Sequence, residues 1–214
     1  MDYFEPSGKI KTDLKEARRY MGGKRAEDSK LDMLLEGCAA EMEKAIAPRA
    51  VWRMYSAKIG GGTVELGNVT LKSASLSKRL CGADRVFVFG ATLGPGADRL
   101  IRKGALKGAA TAAALDACGS ALIETFCDQV CAEMEKAAKV RLSDRFSPGY
   151  GDLPIEAQKE FFGLVDMKKA GIYLTDGMMM TPTKSVTAIA GAGGERVPGG
   201  CAACTKTDCI YKRK

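Results

Sequence analysis

Arg145-Phe146-Ser147-Pro148-Gly149-Tyr150-Gly151-Asp152 follows a long alanine-rich stretch and places one cation, one proline and two glycines in a tight turn around an aromatic ring. An arginine fork grips a carboxylate through two parallel hydrogen bonds. Glycine lacks a Cβ and tolerates positive φ, so a ligand can come close to the backbone. Tyrosine adds a flat face and a hydroxyl. The combination suits a small zwitterionic or nucleoside-like ligand better than a polymer. A Pro-Gly turn after a helix is the plainer reading, and it needs no ligand.

The surrounding chain adds context. Downstream come Thr175-Asp176-Gly177-Met178-Met179-Met180-Thr181-Pro182 and then Ser185-Val186-Thr187-Ala188. Upstream lie Val86-Phe87-Val88-Phe89-Gly90-Ala91-Thr92-Leu93-Gly94 and Leu115-Asp116-Ala117-Cys118-Gly119-Ser120-Ala121. Arg-x-x-Pro-Gly-Tyr followed by a helix and then Met-x-Pro-x-x-Ser-Val-[Ser/Thr] resembles the S-adenosylmethionine-binding activation domain of cobalamin-dependent methionine synthase, here in stand-alone form. The resemblance covers roughly residues 70–195. It implies an α+β fold, a twisted, mainly antiparallel sheet flanked by helices.

The resemblance also implies roles for particular residues. Arg145 would hold the carboxylate of S-adenosylmethionine. The backbone around Ser147 and Gly149 would meet the adenine or the amine, and Tyr150 would line the groove. Glu124 falls in the family's Leu-x-Glu-x-Phe pattern, here Leu122-Ile123-Glu124-Thr125-Phe126, and would accept from the ligand's ammonium or ribose hydroxyls. One of Met178, Met179 and Met180 would cover the nucleoside, although a buried strand end explains three methionines as well. An acidic residue near the N-terminus of the fused domain, and a later tyrosine, have no counterpart at the level of motifs. The implied function is support of the reductive methylation that returns cob(II)alamin to service. The cobalamin would be carried by a partner, a methionine synthase core or another corrinoid protein.

Composition sets outer bounds. A chain of 214 residues can bury a full core, and 46% hydrophobic with 28% charged residues lies in the globular range. No window reaches 18 uninterrupted apolar residues, and the start lacks the basic and apolar regions of a signal peptide. A cytoplasmic protein with no membrane association is expected. The net charge of +7 is scattered along the chain and aromatic residues make up only 7%, which argues against a stacking platform for nucleic acid. A basic surface equally suits an acidic electron carrier such as flavodoxin or ferredoxin. The chain contains no histidine, which removes imidazole general acid–base chemistry, Ser-His-Asp triads and His-ligated zinc.

Periodicity divides the chain into an N-terminal helical segment over 1–50, an α+β core over 51–195 and a cysteine-rich tail over 196–214. Apolar spacing from Leu31 to Ile46 predicts a helix stopped by Pro48, and the charged stretch Lys9–Lys30 reads as a loosely attached arm. Strands are expected over Val51–Ile59 and Thr63–Leu71, joined through Gly60-Gly61-Gly62. A short helix entered through Ser75 should cover Leu76–Leu80. Val86–Phe89 reads as a buried strand, and Gly94-Pro95-Gly96 opens a helix to about Lys103. The major helix is expected over Leu106–Val140, with a core stripe of Leu115, Cys118, Leu122, Phe126, Val130 and Met134. Ser120, Glu124 and Asp128 lie at four-residue steps on another, polar face. A second helix should span Pro154–Lys169, with strands near Ile172–Thr175 and Ser185–Ala190.

The tail carries Cys201-Ala202-Ala203-Cys204-Thr205-Lys206-Thr207-Asp208-Cys209. Thiolates of Cys201, Cys204 and Cys209 at this spacing could hold zinc or an iron–sulfur cluster with a fourth ligand, or Cys201 and Cys204 could form a redox dithiol. Cys38, Cys81, Cys118, Cys127 and Cys131 read mostly as small buried hydrophobes. Two further functions stay open at this level: a metal- or cluster-bearing reductive activator of another corrinoid methyltransferase, and a non-catalytic S-adenosylmethionine-binding module.

Overall fold

A computed structural model describes residues 1–22 and 28–193. Its centre is a four-stranded, wholly antiparallel sheet of β1 (Asp2–Phe4), β2 (Arg49–Ser56), β6 (Arg85–Thr92) and β9 (Ser185–Ala192), in the order β1-β2-β6-β9. β6 lies inside the sheet and is covered on both faces, so its residues run apolar without alternation. Phe87, Phe89 and Ala91 face one core, while Val86 and Val88 face the other, as the period of two requires.

The first core lies under helices α1 (Leu14–Tyr20), α2 (Ser29–Ala45), α4 (Pro95–Lys107) and α5 (Ala109–Ala138). α5 is the spine, and all six residues of its expected apolar stripe are at most 1% exposed. On β9 the residues turned to this core are alanines, Ala188, Ala190 and Ala192, which lets the long helix lie close to the sheet. The second core is covered by a smaller antiparallel sheet, β3 (Lys58–Gly60), β4 (Thr63–Leu66) and β5 (Val69–Lys72), together with α3 (Ala74–Arg79) and α6 (Gln158–Leu164). A short hairpin of β7 (Tyr173–Leu174) and β8 (Met180–Thr181) precedes β9.

The α+β architecture agrees with the reading of the sequence, and the differences have local causes. The strand expected over Val51–Ile59 breaks at Ala57, whose N–H donates to the Asp84 carbonyl at 2.8 Å; its two halves join different sheets. The strand over Thr63–Leu71 folds back at Gly67, φ 60°, into β4 and β5. Ser73, not Ser75, caps α3, its Oγ accepting from the Leu76 N–H at 3.0 Å. α4 runs past Lys103, and α5 begins only after Gly108, whose φ of 137° ends one helix and starts the other. The helix expected over Pro154–Lys169 is one α-helical stretch between two 3₁₀ turns, interrupted at Val165, which extends to enter the second core. The arm expected over Lys9–Lys30 contains α1, capped by Asp13, with Ala17 fully buried against the first core. Among the described residues no helix is long and apolar enough to cross a membrane.

Candidate functional site

After α5 the chain runs antiparallel beside the outer edge of β9 and bridges it at Leu142–Ala192 and Phe146–Ile189. Phe146 exchanges both backbone hydrogen bonds with Ile189 at 2.9 Å and turns its ring into the second core. Its neighbour Arg145 therefore points the other way, onto α5. There Nη2 donates to Glu124 Oε2 at 2.8 Å and Nη1 to Asp128 Oδ1 at 2.5 Å, with the Cys131 thiol 3.9 Å from Nη1. The three side chains differ in exposure: 22% for Arg145, 36% for Glu124 and 73% for Asp128. Burial opposes the charge on Arg145, but the facing thiols of Cys127 and Cys131 and the Asp128 carboxylate outweigh it, and its pKa rises. Arginine is a permanent cation here.

The turn that follows is pinned from inside. Tyr150 N–H donates to the Ser147 carbonyl at 3.1 Å, Gly149 N–H to the Leu153 carbonyl at 2.9 Å, and Leu153 N–H to the Tyr150 carbonyl at 3.0 Å. Gly149 and Gly151 hold φ of 87° and 55°, the left-handed region that favours glycine, and a Cβ on Gly151 would sit 2.9 Å from Ser75 Oγ. Asp152 closes the turn. Its carboxylate accepts from Ser73 Oγ, from Ala74 N–H at 2.8 Å and from Ser75 N–H at 3.1 Å, at the start of α3. These bonds, led by that from Ser73, hold its pKa well below the usual carboxylate range.

Tyr150 stands on this turn with its ring 59% exposed and edge-on to Phe146, centroids 6.2 Å apart. Burial of its oxygen raises the phenol's pKa, the negative charge of Glu124 adds to this, and Arg145 opposes it. The hydroxyl stays neutral at physiological pH. Glu124, Arg145 and Tyr150 are thus brought together, with Ser147 half-buried and Gly149 exposed on the same turn.

The polar face of α5 extends further than Ser120, Glu124 and Asp128. Asp116 adds one more step, so the stripe runs from Asp116 to Asp128, about 18 Å of helix. At its far end Lys184, just before β9, donates to Asp116 Oδ1 and Ser120 Oγ, both at 2.8 Å. Its stem lies across Gly119, where an added Cβ would meet Lys184 Cε at 3.1 Å. Two cations thus tie this stripe of α5 to its neighbours, Arg145 from the segment beside β9 and Lys184 from the residue before β9. Neither the Lys184 tie nor the second carboxylate on Arg145 emerged from the motifs; the four-residue step from Asp116 to Asp128 marks the helix face on which both acids lie, but not the cations that meet them.

Several other candidates fall elsewhere. The cysteines Cys201, Cys204 and Cys209 lie outside the described residues. Among the described residues no group of three or more cysteine, aspartate or glutamate side chains is placed to hold a metal ion. Cys118 donates to the Leu35 carbonyl at 3.7 Å, and burial pushes its thiol up to about 12, so it packs as a neutral hydrophobe. Cys81 is exposed, contrary to the buried reading. The three methionines do not form a buried strand end: Met178 takes φ 61° in the β7–β8 turn and Met179 is 65% exposed. A cleft of about 380 Å³ lies away from the Arg145 turn, between the segment Glu5–Ile10 and the end of α2. Of the two acids that line it, Glu5 and Glu43, the latter is already engaged by Lys11 Nζ and Thr12 N–H, both at 2.9 Å.

No protein-family model matches the chain, and no curated protein matches it. Among solved structures, the chain is similar to a crystal structure of the MetH reactivation domain bound to AdoHcy, with a TM-score of 0.65. The match covers 92% of this chain and 80% of that one at 17% sequence identity. At that identity the likeness establishes the fold, in which sheet and helices take the arrangement described above.

Proposed function

We propose that this chain binds S-adenosylmethionine along the α5–β9 groove and supports reactivation of a cobalamin enzyme carried by another polypeptide. The observation that carries the reading is the convergence of Glu124 from α5 with Arg145 and Tyr150 from the turn that follows it onto one open surface. The neighbour of like fold is a reactivation domain bound to AdoHcy, the demethylated form of the same compound, which supports the choice of ligand.

The residues fit such a ligand. Arg145 offers a permanently charged fork to the amino-acid carboxylate. Glu124 lies within reach of the same fork and would take the ammonium. Tyr150 offers a flat, exposed face to the nucleoside. Gly149 N–H and the Ser147 carbonyl are committed within the turn, so the Ser147 N–H and the Gly149 carbonyl are the backbone groups that would meet it.

S-adenosylmethionine supplies, when bound, an electrophilic methyl on a sulfonium; with one electron from a reductant, the methyl would go to the partner's cob(II)alamin. The work of this chain is to bind and orient, leaving the methyl facing outward. It needs no general base, which suits a sequence without histidine. The partner would be a methionine synthase core or another corrinoid protein, and the electron donor an acidic carrier such as flavodoxin or ferredoxin.

The test is calorimetric titration of S-adenosylmethionine into the wild type and an Arg145→Ala variant. Binding by the wild type that weakens at least tenfold in the variant is the expected result, the scale of a lost charge-assisted contact. Equal binding by both would remove Arg145 from the site.

A further inference from the structure

The Arg145 fork is over-supplied with negative charge. One guanidinium faces two carboxylates, each taking one terminal nitrogen, Glu124 on Nη2 and Asp128 on Nη1. A ligand carboxylate gains its place on the fork by replacing one of these acids at its nitrogen, and exposure decides which one leaves. Asp128 is 73% exposed and can return to water at little cost, whereas Glu124, at 36%, sits deeper in the groove.

We infer that Asp128 is a built-in competitor for the ligand's carboxylate: it covers Arg145 while the groove is empty and swings out when an amino-acid ligand arrives. This inference rests on the reading of the groove as an S-adenosylmethionine site. Glu124 then has the opposite role, staying in place to receive the ammonium. The two acids, one helical turn apart on α5, act in opposite directions on affinity. Asp128 keeps a half-buried cation paired in the free protein, and that pairing weakens binding. It also makes the groove selective, because only a ligand that brings its own carboxylate can replace the one it displaces.

The experiment is calorimetric titration of three compounds into the wild type, Asp128→Asn and Glu124→Gln. S-adenosylmethionine and S-adenosylhomocysteine carry the amino-acid group, and 5′-methylthioadenosine lacks it. Asp128→Asn should bind the first two roughly two- to fivefold tighter, the scale of one exposed ion pair, and leave 5′-methylthioadenosine unchanged. Glu124→Gln should weaken binding of the first two. Because Asp128 is exposed and asparagine keeps its shape, loss of fold does not confound the comparison. Unchanged or weaker binding of S-adenosylmethionine by Asp128→Asn overturns the inference. So does an equal gain for 5′-methylthioadenosine, or tightening in both variants, which would make the effect one of bulk charge. Absence of binding of all three compounds to every protein, at millimolar ligand, overturns the parent reading along with it.

Discussion

Gly96 shows how much of this fold hangs on single atoms. It is the second residue of α4, and an added Cβ would stand 1.8 Å from the Ala45 carbonyl oxygen at the end of α2. The obstacle is backbone, so no side chain can give way. Gly96→Ala is expected to cost about 3 kcal/mol, at the upper end of overpacking effects, read as a lower midpoint in urea. At this scale the sequence was a fair guide to which residues matter and a poor one to their partners. Gly94-Pro95-Gly96 was legible as a helix start, but nothing local says that α2 passes within touching distance. Arg145, Glu124 and Tyr150 were singled out as candidates because they fall in motifs. Asp128 and Lys184 were not seen as partners, since ion pairs across 17 and 68 residues leave no trace in local spacing.

Elements meet most tellingly where the Arg145 turn joins α3. That helix is only one and a half turns long, and its first amides are answered from two places, Ser73 within the chain and Asp152 from the turn. The Asp152 pKa is lowered in the folded protein. Its contribution is therefore fully present above the ordinary carboxylate value near 4 and is lost as pH falls towards the depressed folded value. Asp152→Asn should destabilise the protein at pH 7, and the gap to the wild type should narrow at pH 3. Urea midpoints at the two pH values check this, and a gap that is the same at both would mean the charge plays no part. The motif placed Asp152 at the end of a ligand loop, while its observed work is to fasten that loop to a helix 77 residues away. The short elements were misjudged for the same reason. β3, β5 and the 3₁₀ turns are set by tertiary hydrogen bonds and by burial in the second core, whereas α5 is set by its own propensity and stripe.

For the whole molecule, the central sheet separates two cores, and the candidate site lies at the edge where α5, β9 and the turn meet. Its two walls are made of very different material. One is the most deeply packed helix in the protein, with Ala121, Leu122, Phe126, Cys127 and Val130 at most 1% exposed. The other is a turn held by three backbone hydrogen bonds and one carboxylate clamp. Amide hydrogens in the two walls should consequently exchange with deuterium on separate clocks. Those of residues 119–130 would wait for global unfolding, and those of residues 147–153 would open locally many times before that. Ligand added to the protein should slow exchange in 147–153 and leave the α5 amides as they were. Mass spectrometry of the corresponding peptides would then reveal a bound small molecule through half of its site only, because the other half is already as protected as the fold allows.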